Sequence, residues 1–337
     1  MAAANEIASI PSVKDRNLLK LLPISNGMGL AHAPSMTQPR RLLPGRTYLI
    51  TRRVIRSHYL LRPDDQTNNV FIFVMAFLAE KYGIIIHATT VMSTHHHTVL
   101  TDPNRNLPKF LEQLHRLTAL AMKIYRKWEG PLWDHEPTSV VELRTPQAVV
   151  ENIAYVMGNP SDAGAVYHAE DWPGIVTKLS DLGKGRFKAE LPDVYFDKDN
   201  EQWPKEVTLK LEMPAGLEEH FDDPIEAINQ EYKRIQKEAR RRMKDEGRSF
   251  MGVDKSLKVS PYKRSKSWEQ LRSLNPTFAV GRGQPEAKKQ AMLVLYKFRK
   301  AYRKALDQWK EGVRDVLFPL GTWWMKVFHK ALVSDTA

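Results

Sequence analysis

Three consecutive histidines, His95, His96 and His97, stand between apolar runs in the stretch TTVMSTHHHTVLTD, residues 89–102. The β-branched residues around them predict a strand, on which alternate side chains point to opposite faces. His95 and His97 therefore share one face, where two imidazoles can bind one divalent ion, while His96 points to the other. Taken alone, such a triplet more often marks a polar strand face in water. Two histidines are also too few for a closed zinc site, which takes about four ligands.

A further ligand and a nucleophile are offered by a predicted helix at 146–160. Tyr155 and Asn159 are four residues apart, so they lie on one helical face about one turn from each other. Asn159 would supply an amide oxygen and Tyr155 a phenol. Each has an ordinary alternative, because asparagine often caps a helix before a proline such as Pro160 and tyrosine often packs in a core. The combination, rather than either residue alone, favours a site.

The chemistry of such a site would be metal-assisted attack by a phenol on a phosphate. Ionising tyrosine at pH 7 costs about 4 kcal/mol, because its ordinary pKa is about 10. A divalent ion can offset part of that barrier by polarising the phosphate and stabilising the charge that develops on its oxygens. The sequence contains no GxxxxGK[ST] phosphate loop, which agrees with a reaction that needs no nucleotide cofactor.

Four strands and three helices are expected to position these residues. Apolar periodicity and capping residues predict strands at 47–55, 84–92, 95–100 and 138–144, and helices at 65–83, 109–130 and 146–160. The middle two strands form a hairpin across a short polar turn. This order predicts an α+β fold of the split βαβ (ferredoxin-like) type, an antiparallel sheet with helices on one face. The other face would be open to a ligand.

The chain divides into four predicted segments. They are a flexible N-terminal arm at 1–44, a catalytic domain at 45–175, a small irregular or β segment at 176–224, and a basic, mainly helical C-terminal region at 225–337. In the last region, the stretch 231–250 carries eight basic and four acidic residues.

Composition points to a polyanionic partner. The 337 residues carry a net charge of +12, a field that attracts nucleic acid whatever the fold. A solvated basic surface without a partner is the alternative. The absence of cysteine excludes disulfides and thiolate metal sites. No secretory signal and no apolar window of about 20 residues is found, which predicts a cytoplasmic protein with no membrane partner.

DNA binding is expected at the basic exit of the first strand, a cluster formed by Arg52, Arg53, Arg56 and Arg62. The C-terminal helices would add further phosphate contacts. Single-stranded or hairpin DNA is the expected form, because stacking on aromatic side chains needs exposed bases. For each basic residue, and for the helix at 231–250, an ordinary solvated face is the alternative.

The motifs together resemble a known family. The stretch VMSTHHHTVLTDP and the later stretch IAYVMGNPSDAGAVYHAEDWPG resemble the HUH transposases with one catalytic tyrosine, in particular the REP-associated tyrosine transposases. The resemblance runs from Thr47 to about Gly174. The stretches NPTFA (275–279) and FPLGTWWMKVFH (318–329) resemble C-terminal segments of longer members.

The resemblance implies a role for each site residue. His95, His97 and Asn159 would bind Mg²⁺ or Mn²⁺, and Tyr155 would attack DNA to give a 5′-phosphotyrosine and a free 3′-hydroxyl. Members of the family work as monomers or homodimers, and both states stay open here. Two departures are Thr94, where asparagine is usual, and His96, where an apolar residue is usual. They keep open a catalytically inactive protein that binds single-stranded nucleic acid. A replication initiator or relaxase is disfavoured, because the chain shows no helicase motif. Such proteins also often use a pair of tyrosines, whereas only Tyr155 stands on the critical helix.

Overall fold

A five-stranded sheet forms the centre of the protein. The computed structural model describes residues 38–265 and 276–335. The strands of the sheet follow the order β2-β3-β1-β4-β7. Their bounds are β1 Arg46–Arg53, β2 Ile85–Met92, β3 His95–Asp102, β4 Ser139–Leu143 and β7 Phe278–Ala279, and a separate two-stranded sheet pairs β5 Arg186–Glu190 with β6 Glu206–Lys210.

Seven α-helices accompany the strands in the described part of the chain. Their bounds are α1 Asp65–Tyr82, α2 Leu107–Arg126, α3 Pro146–Asp162, α4 Pro224–Asp245, α5 Val253–Lys258, α6 Pro285–Lys310 and α7 Trp324–His329. Side-chain caps begin two of the first three: Asp64 accepts from the backbone N–H of Thr67, and Thr145 accepts from that of Ala148.

The predicted fold class, a split βαβ sheet in an α+β fold, is confirmed. β1 pairs with β3 and with β4, and β2 pairs with β3, all antiparallel. The short strand β7, which the sequence did not predict as part of this sheet, adds to the β4 edge in parallel.

The two helices of the split βαβ unit, α1 and α2, lie on one face of the sheet as predicted. They pack there in a core that includes Ile50 of β1, Phe71 of α1 and Phe110 of α2. The opposite face was expected to be open to a ligand, but α3 covers it. The strands are apolar on both sides, and Val99 of β3 and Val141 of β4 are buried in a second core with α3. Burying both faces of the sheet removes more apolar surface from water than burying one face would.

The later segments pack around this centre. β5 and β6, in the region predicted to be irregular or β, contribute to the core beside α1, and α4 packs along α3. The described residues from Pro39 onward belong to one compact unit, Pro39–Ala337. The predicted boundaries at 45–175, 176–224 and 225–337 stay predictions. Most of the predicted arm at 1–44, and residue 275 of the stretch NPTFA, lie outside the described residues.

None of the helices in the described ranges combines the length and the hydrophobicity that a membrane span requires.

Candidate active site

The histidine triplet opens strand β3, which lies in the sheet between β2 and β1. As strand alternation predicts, His95 and His97 share the face that α3 covers, with ring centroids 4.8 Å apart. His97 is buried and His95 is half-buried. The i, i+2 spacing therefore brings two imidazoles together beside the helix that carries the predicted nucleophile.

Helix α3 places Tyr155 and Asn159 against these two imidazoles. Asn159 Oδ1 lies 3.1 Å from His95 Nε2, and the Tyr155 hydroxyl lies 3.5 Å from His97 Nε2. Asn159 Nδ2 also donates to the Tyr155 hydroxyl over 3.4 Å. Four side chains from two elements thus converge, with the Asn159 amide between the His95 imidazole and the Tyr155 phenol, and the phenol beside the His97 imidazole.

A proline inside α3 helps to fix the helix on the sheet. The sequence predicted that the helix stops at Asn159–Pro160, but it continues to Asp162. Pro160 has no N–H and leaves the carbonyl of Val156 without its helical partner. The Thr90 hydroxyl of β2 donates to that carbonyl over 2.7 Å. The hydrogen bond lost in the helix is thereby replaced by one that joins α3 to β2 next to the site.

A glycine fixes α3 on its other side. A Cβ atom at Gly158 would lie 2.9 Å from Ile235 Cγ2 and 3.7 Å from Tyr232 Cδ2 of helix α4. The first distance is too short for carbon atoms, so only glycine allows α4 to approach this closely. Asn159, the next residue along the chain, is 3% exposed. Its position is therefore set by β2 on one side of the helix and by α4 on the other.

Each imidazole of the site has its second nitrogen bonded to a threonine. His97 Nδ1 lies 2.7 Å from the Thr51 hydroxyl, and His95 Nδ1 lies 2.9 Å from the Thr94 hydroxyl. Because an amide oxygen only accepts, His95 Nε2 donates to Asn159, and His95 Nδ1 then accepts from Thr94. A hydroxyl can donate or accept, so Thr94 also suits the other tautomer, in which Nε2 carries the lone pair.

The surroundings of His97 keep its ring neutral. Burial, reinforced by the nearby charges of His95, His96 and Arg53, holds the pKa of His97 well below its ordinary value. A neutral imidazole retains a lone pair at neutral pH, which binding to a metal requires.

His96 lies on the opposite face of the sheet, in the core beside α1 and α2. It is fully buried, and its Nε2 lies 3.1 Å from His115 Nε2 of α2. Phe71 and Trp133 contact its ring edge to face at centroid distances of 5.2 and 6.0 Å. Burial lowers the pKa of His96 to about 3, with smaller contributions from His95 and Arg52. His96 therefore fills the usual apolar position as a neutral, hydrogen-bonded core residue and does not face the His95/His97 pair.

The predicted basic cluster is divided by the structure. Arg52 pairs with His96 in the register of β1 and β3, and its guanidinium donates to the backbone carbonyls of Asp134 and Glu136. Arg62 donates to Val259 O and to the Asp64 carboxylate. These two side chains are held by the protein itself. Arg53 and Arg56 are the exposed members, and Arg53 lies close enough to lower the pKa of His97.

The donor set at the site fits a divalent ion. Two imidazole nitrogens and one amide oxygen suit Mn²⁺ or Mg²⁺, with the remaining positions open to phosphate oxygens and water. The hydroxyls of Thr51 and Thr94 orient the rings in the way that outer partners of metal-binding histidines do. Within residues 38–265 and 276–335, no group of three or more histidine, aspartate or glutamate side chains is arranged to hold a metal.

Three contributing residues were not found by sequence reasoning. His115 lies on the same helical stripe as Leu111 and Met122 of α2, a signal that could have placed it in the core. Thr51 depends on the register between β1 and β3, which a single sequence does not give. Gly158 depends on the approach of α4, for which the local sequence offers no signal.

Comparison with known proteins gives partial structural matches. One is a REP-associated tyrosine transposase bound to a REP hairpin, with 18% identity, covering 50% of this chain and 98% of the other, at a TM-score of 0.38. Another is a Deinococcus radiodurans protein described provisionally as a transposase, with 22% identity, covering 32% of this chain and 85% of the other, at a TM-score of 0.26. No family model and no curated protein matches the sequence. Because both TM-scores are low, the proposed function rests on the geometry of the site.

Proposed function

We propose that the chain is a metal-dependent, transposase-like enzyme that cuts and rejoins single-stranded, hairpin-containing DNA through a 5′-phosphotyrosine intermediate. One observation carries the proposal. The Tyr155 hydroxyl lies 3.5 Å from His97 Nε2, and Asn159 Oδ1 lies 3.1 Å from His95 Nε2. A phenol beside two imidazoles and an amide oxygen is the minimal set for tyrosine attack on a metal-bound phosphate.

The proposed metal ligands are His95, His97 and Asn159, with Mn²⁺ or Mg²⁺ as the cofactor. When bound, the ion would polarise the scissile phosphate and stabilise the negative charge on its oxygens. The rings are turned so that Nδ1 of each faces a threonine hydroxyl and Nε2 faces α3. This orientation supports the assignment, because it leaves one nitrogen of each histidine for the ligand.

Tyr155 is the proposed nucleophile. The phenol gives its proton to water, its oxygen forms a bond to phosphorus while the bond from phosphorus to the 3′-oxygen breaks, and the 3′-oxygen takes a proton from water and leaves as a hydroxyl. Asn159 Nδ2 donates to the phenol oxygen over 3.4 Å and so positions it. The reverse step, attack on the phosphotyrosine by another 3′-hydroxyl, rejoins DNA and returns the phenol. The bond energy stays in the covalent link, so no nucleotide is consumed.

DNA is the proposed polyanion because the net charge of +12 attracts phosphates. Arg53 and Arg56, the exposed members of the basic cluster at the end of β1, are the best placed of the four predicted arginines to contact the strand near the site. Arg52 and Arg62 would act by shaping that end of the sheet.

The test is covalent capture of DNA by the full chain. A pool of 3′-labelled oligonucleotides with a fixed hairpin and randomised flanks is incubated with the protein and Mn²⁺, and adducts are resolved on a denaturing gel. The label must be at the 3′ end, because a 5′-phosphotyrosine retains the downstream fragment. We expect an adduct that EDTA prevents and that Tyr155→Phe abolishes.

Tyr232→Phe is the matched control, because Tyr232 contacts α3 at Gly158 and has no proposed part in the reaction. It should form the adduct at the wild-type rate. An adduct that survives Tyr155→Phe would exclude this nucleophile. If EDTA leaves DNA binding unchanged and neither Mn²⁺ nor Mg²⁺ gives an adduct, the protein is instead a catalytically inactive DNA-binding protein.

A further inference from the structure

An exposed tyrosine stands beside the end of the helix that carries the proposed nucleophile. Tyr167 is 52% exposed. Its backbone carbonyl accepts a hydrogen bond of 3.1 Å from the Ser161 hydroxyl, and Ser161 comes two residues after Asn159. The backbone of Tyr167 is thus attached directly to the last turn of α3. Its exposed ring is a candidate contact for a ligand of the helix that carries Tyr155.

The ring of Tyr167 is held in place by Arg240 of helix α4. The Arg240 guanidinium carbon lies 4.4 Å from the ring centroid. The same guanidinium donates to Tyr167 O over 3.3 Å, to Gln236 Oε1 over 3.0 Å and to His168 Nδ1 over 2.9 Å. Phe250 also contacts the ring, with centroids 5.4 Å apart. The ring is therefore ordered before any ligand binds, which lowers the entropic cost of binding.

The charge around Tyr167 suits a phosphate backbone. Within the described residues no carboxylate forms an ion pair with Arg240. The exposed side chains of Lys237, Arg241 and Lys244 lie on the same helix, α4. Of the nearby acidic groups, Asp162 pairs with Arg242, whereas Glu170 and Asp171 are exposed. The four other cations named on α4 outnumber these two exposed carboxylates.

From this arrangement we infer that Tyr167 is a stacking platform for an unpaired base of the single-stranded DNA that Tyr155 would cut. The inference rests on the proposed function and extends it by naming where the strand is held. An exposed ring with a cation against it binds nucleobases by stacking and by cation–π attraction. The lysines and arginine of α4 would contact the phosphates on either side. Paired bases are stacked on each other inside a duplex, so the platform selects unpaired DNA.

The experiment measures binding without chemistry. The full chain carrying Tyr155→Phe is titrated in EDTA against a fluorescent single-stranded oligo(dT) and against an abasic strand of the same length, and anisotropy gives Kd. Adding Tyr167→Leu should weaken oligo(dT) binding about 10-fold, the scale of one lost base–aromatic stack. Tyr167→Trp should keep the parent affinity. Binding of the abasic strand should be weak and equal in the parent and in both variants.

Tyr195→Leu is the matched control, because Tyr195 is 39% exposed, stands between Asp193 and Asp197, and contacts Phe196, which packs against Phe73 of α1. It should leave Kd unchanged. The platform is overturned if Tyr167→Leu stays within about twofold of the parent, if the abasic strand shows the same loss, or if duplex DNA or RNA of the same length binds more tightly. The binding experiment measures no cleavage, so failure of the adduct experiment would not change its result. Failure of the binding experiment would likewise leave the adduct result unchanged.

Discussion

The two faces of strand β3 use the same residue type in opposite ways. On the face covered by α3, His95 and His97 bond threonine hydroxyls through Nδ1 and turn Nε2 toward Asn159 and Tyr155. On the other face, His96 is fully buried and bonds another imidazole, that of His115.

The difference between the faces shows that neighbours, not residue type, decide what a histidine can do. A hydroxyl partner can donate or accept, so it fixes the ring in either tautomer while the other nitrogen faces the Asn159 or Tyr155 side chain. In the buried core, the imidazole of His115 bonds Nε2 of His96, so this nitrogen stabilises the fold and does not face a ligand. Of the three adjacent histidines, two therefore face the candidate site and one packs in the core. Substitutions on each face of β3 test this division.

The largest effect is expected from removing an imidazole on each face. His97→Ala should slow adduct formation by more than about 100-fold, since loss of a ligand exceeds the 10–100-fold cost of losing an outer partner. His96→Leu should keep the adduct rate but lower the free energy of unfolding by about 1–3 kcal/mol, because it removes the partner of His115 Nε2 in the core. Initial rates and urea unfolding measure the two quantities. Equal losses of rate in two well-folded variants would contradict the division of roles.

A smaller effect is expected from the hydroxyls. Thr51→Val and Thr94→Val should each raise the Mn²⁺ concentration for half-maximal adduct formation by about 10- to 100-fold, because the imidazoles lose the partners that orient them. Thr98→Val is the control on the other face, where the Thr98 hydroxyl lies 3.5 Å from His96 Nδ1. Its Mn²⁺ dependence should match the wild type, and a shift of similar size would show that the hydroxyls act only on stability.

A further effect concerns acid and stability, not the rate of adduct formation. Burial lowers the pKa of His96 to about 3 and that of His87 to about 4, so the unfolded chain binds protons that the folded chain does not. Their contribution to stability is complete above an unfolded pKa of about 6.5 and is lost as the pH falls below it, by about 2 kcal/mol per histidine between pH 7 and pH 5.

Urea unfolding at the two pH values checks the acid effect. The His96→Leu/His115→Leu pair, which removes the buried imidazoles together, should show a smaller loss of stability between pH 7 and pH 5 than the wild type. An unchanged loss would mean that the buried pair is protonated in the folded state.

Much of the frame was predictable because it depends on local pattern. The bounds of β1 to β4 and of α1 to α3 follow the apolar periodicity to within a few residues. Strand alternation correctly separated His96 from its neighbours, and the four-residue spacing put Tyr155 and Asn159 on one face of α3. These inferences need only the geometry of a single strand or helix.

The remaining features depend on contacts between elements distant in sequence. Pro160 does not end α3, because a threonine of β2 satisfies the freed carbonyl of Val156. Arg52 and Arg62 bond backbone carbonyls of segments that follow much later in the chain. The second face of the sheet is covered because α3 folds back over it, and no local pattern determines that docking.

Gly158 gives the molecule a mechanical property. Because residue 158 has no Cβ, the Ile235 side chain of α4 packs directly on the backbone of α3 at this point, and close-packed contacts of this kind transmit strain with little compression. A side chain added at residue 158 would therefore act at a distance, because it would press on Ile235 and push the backbone that carries Asn159 away from α4.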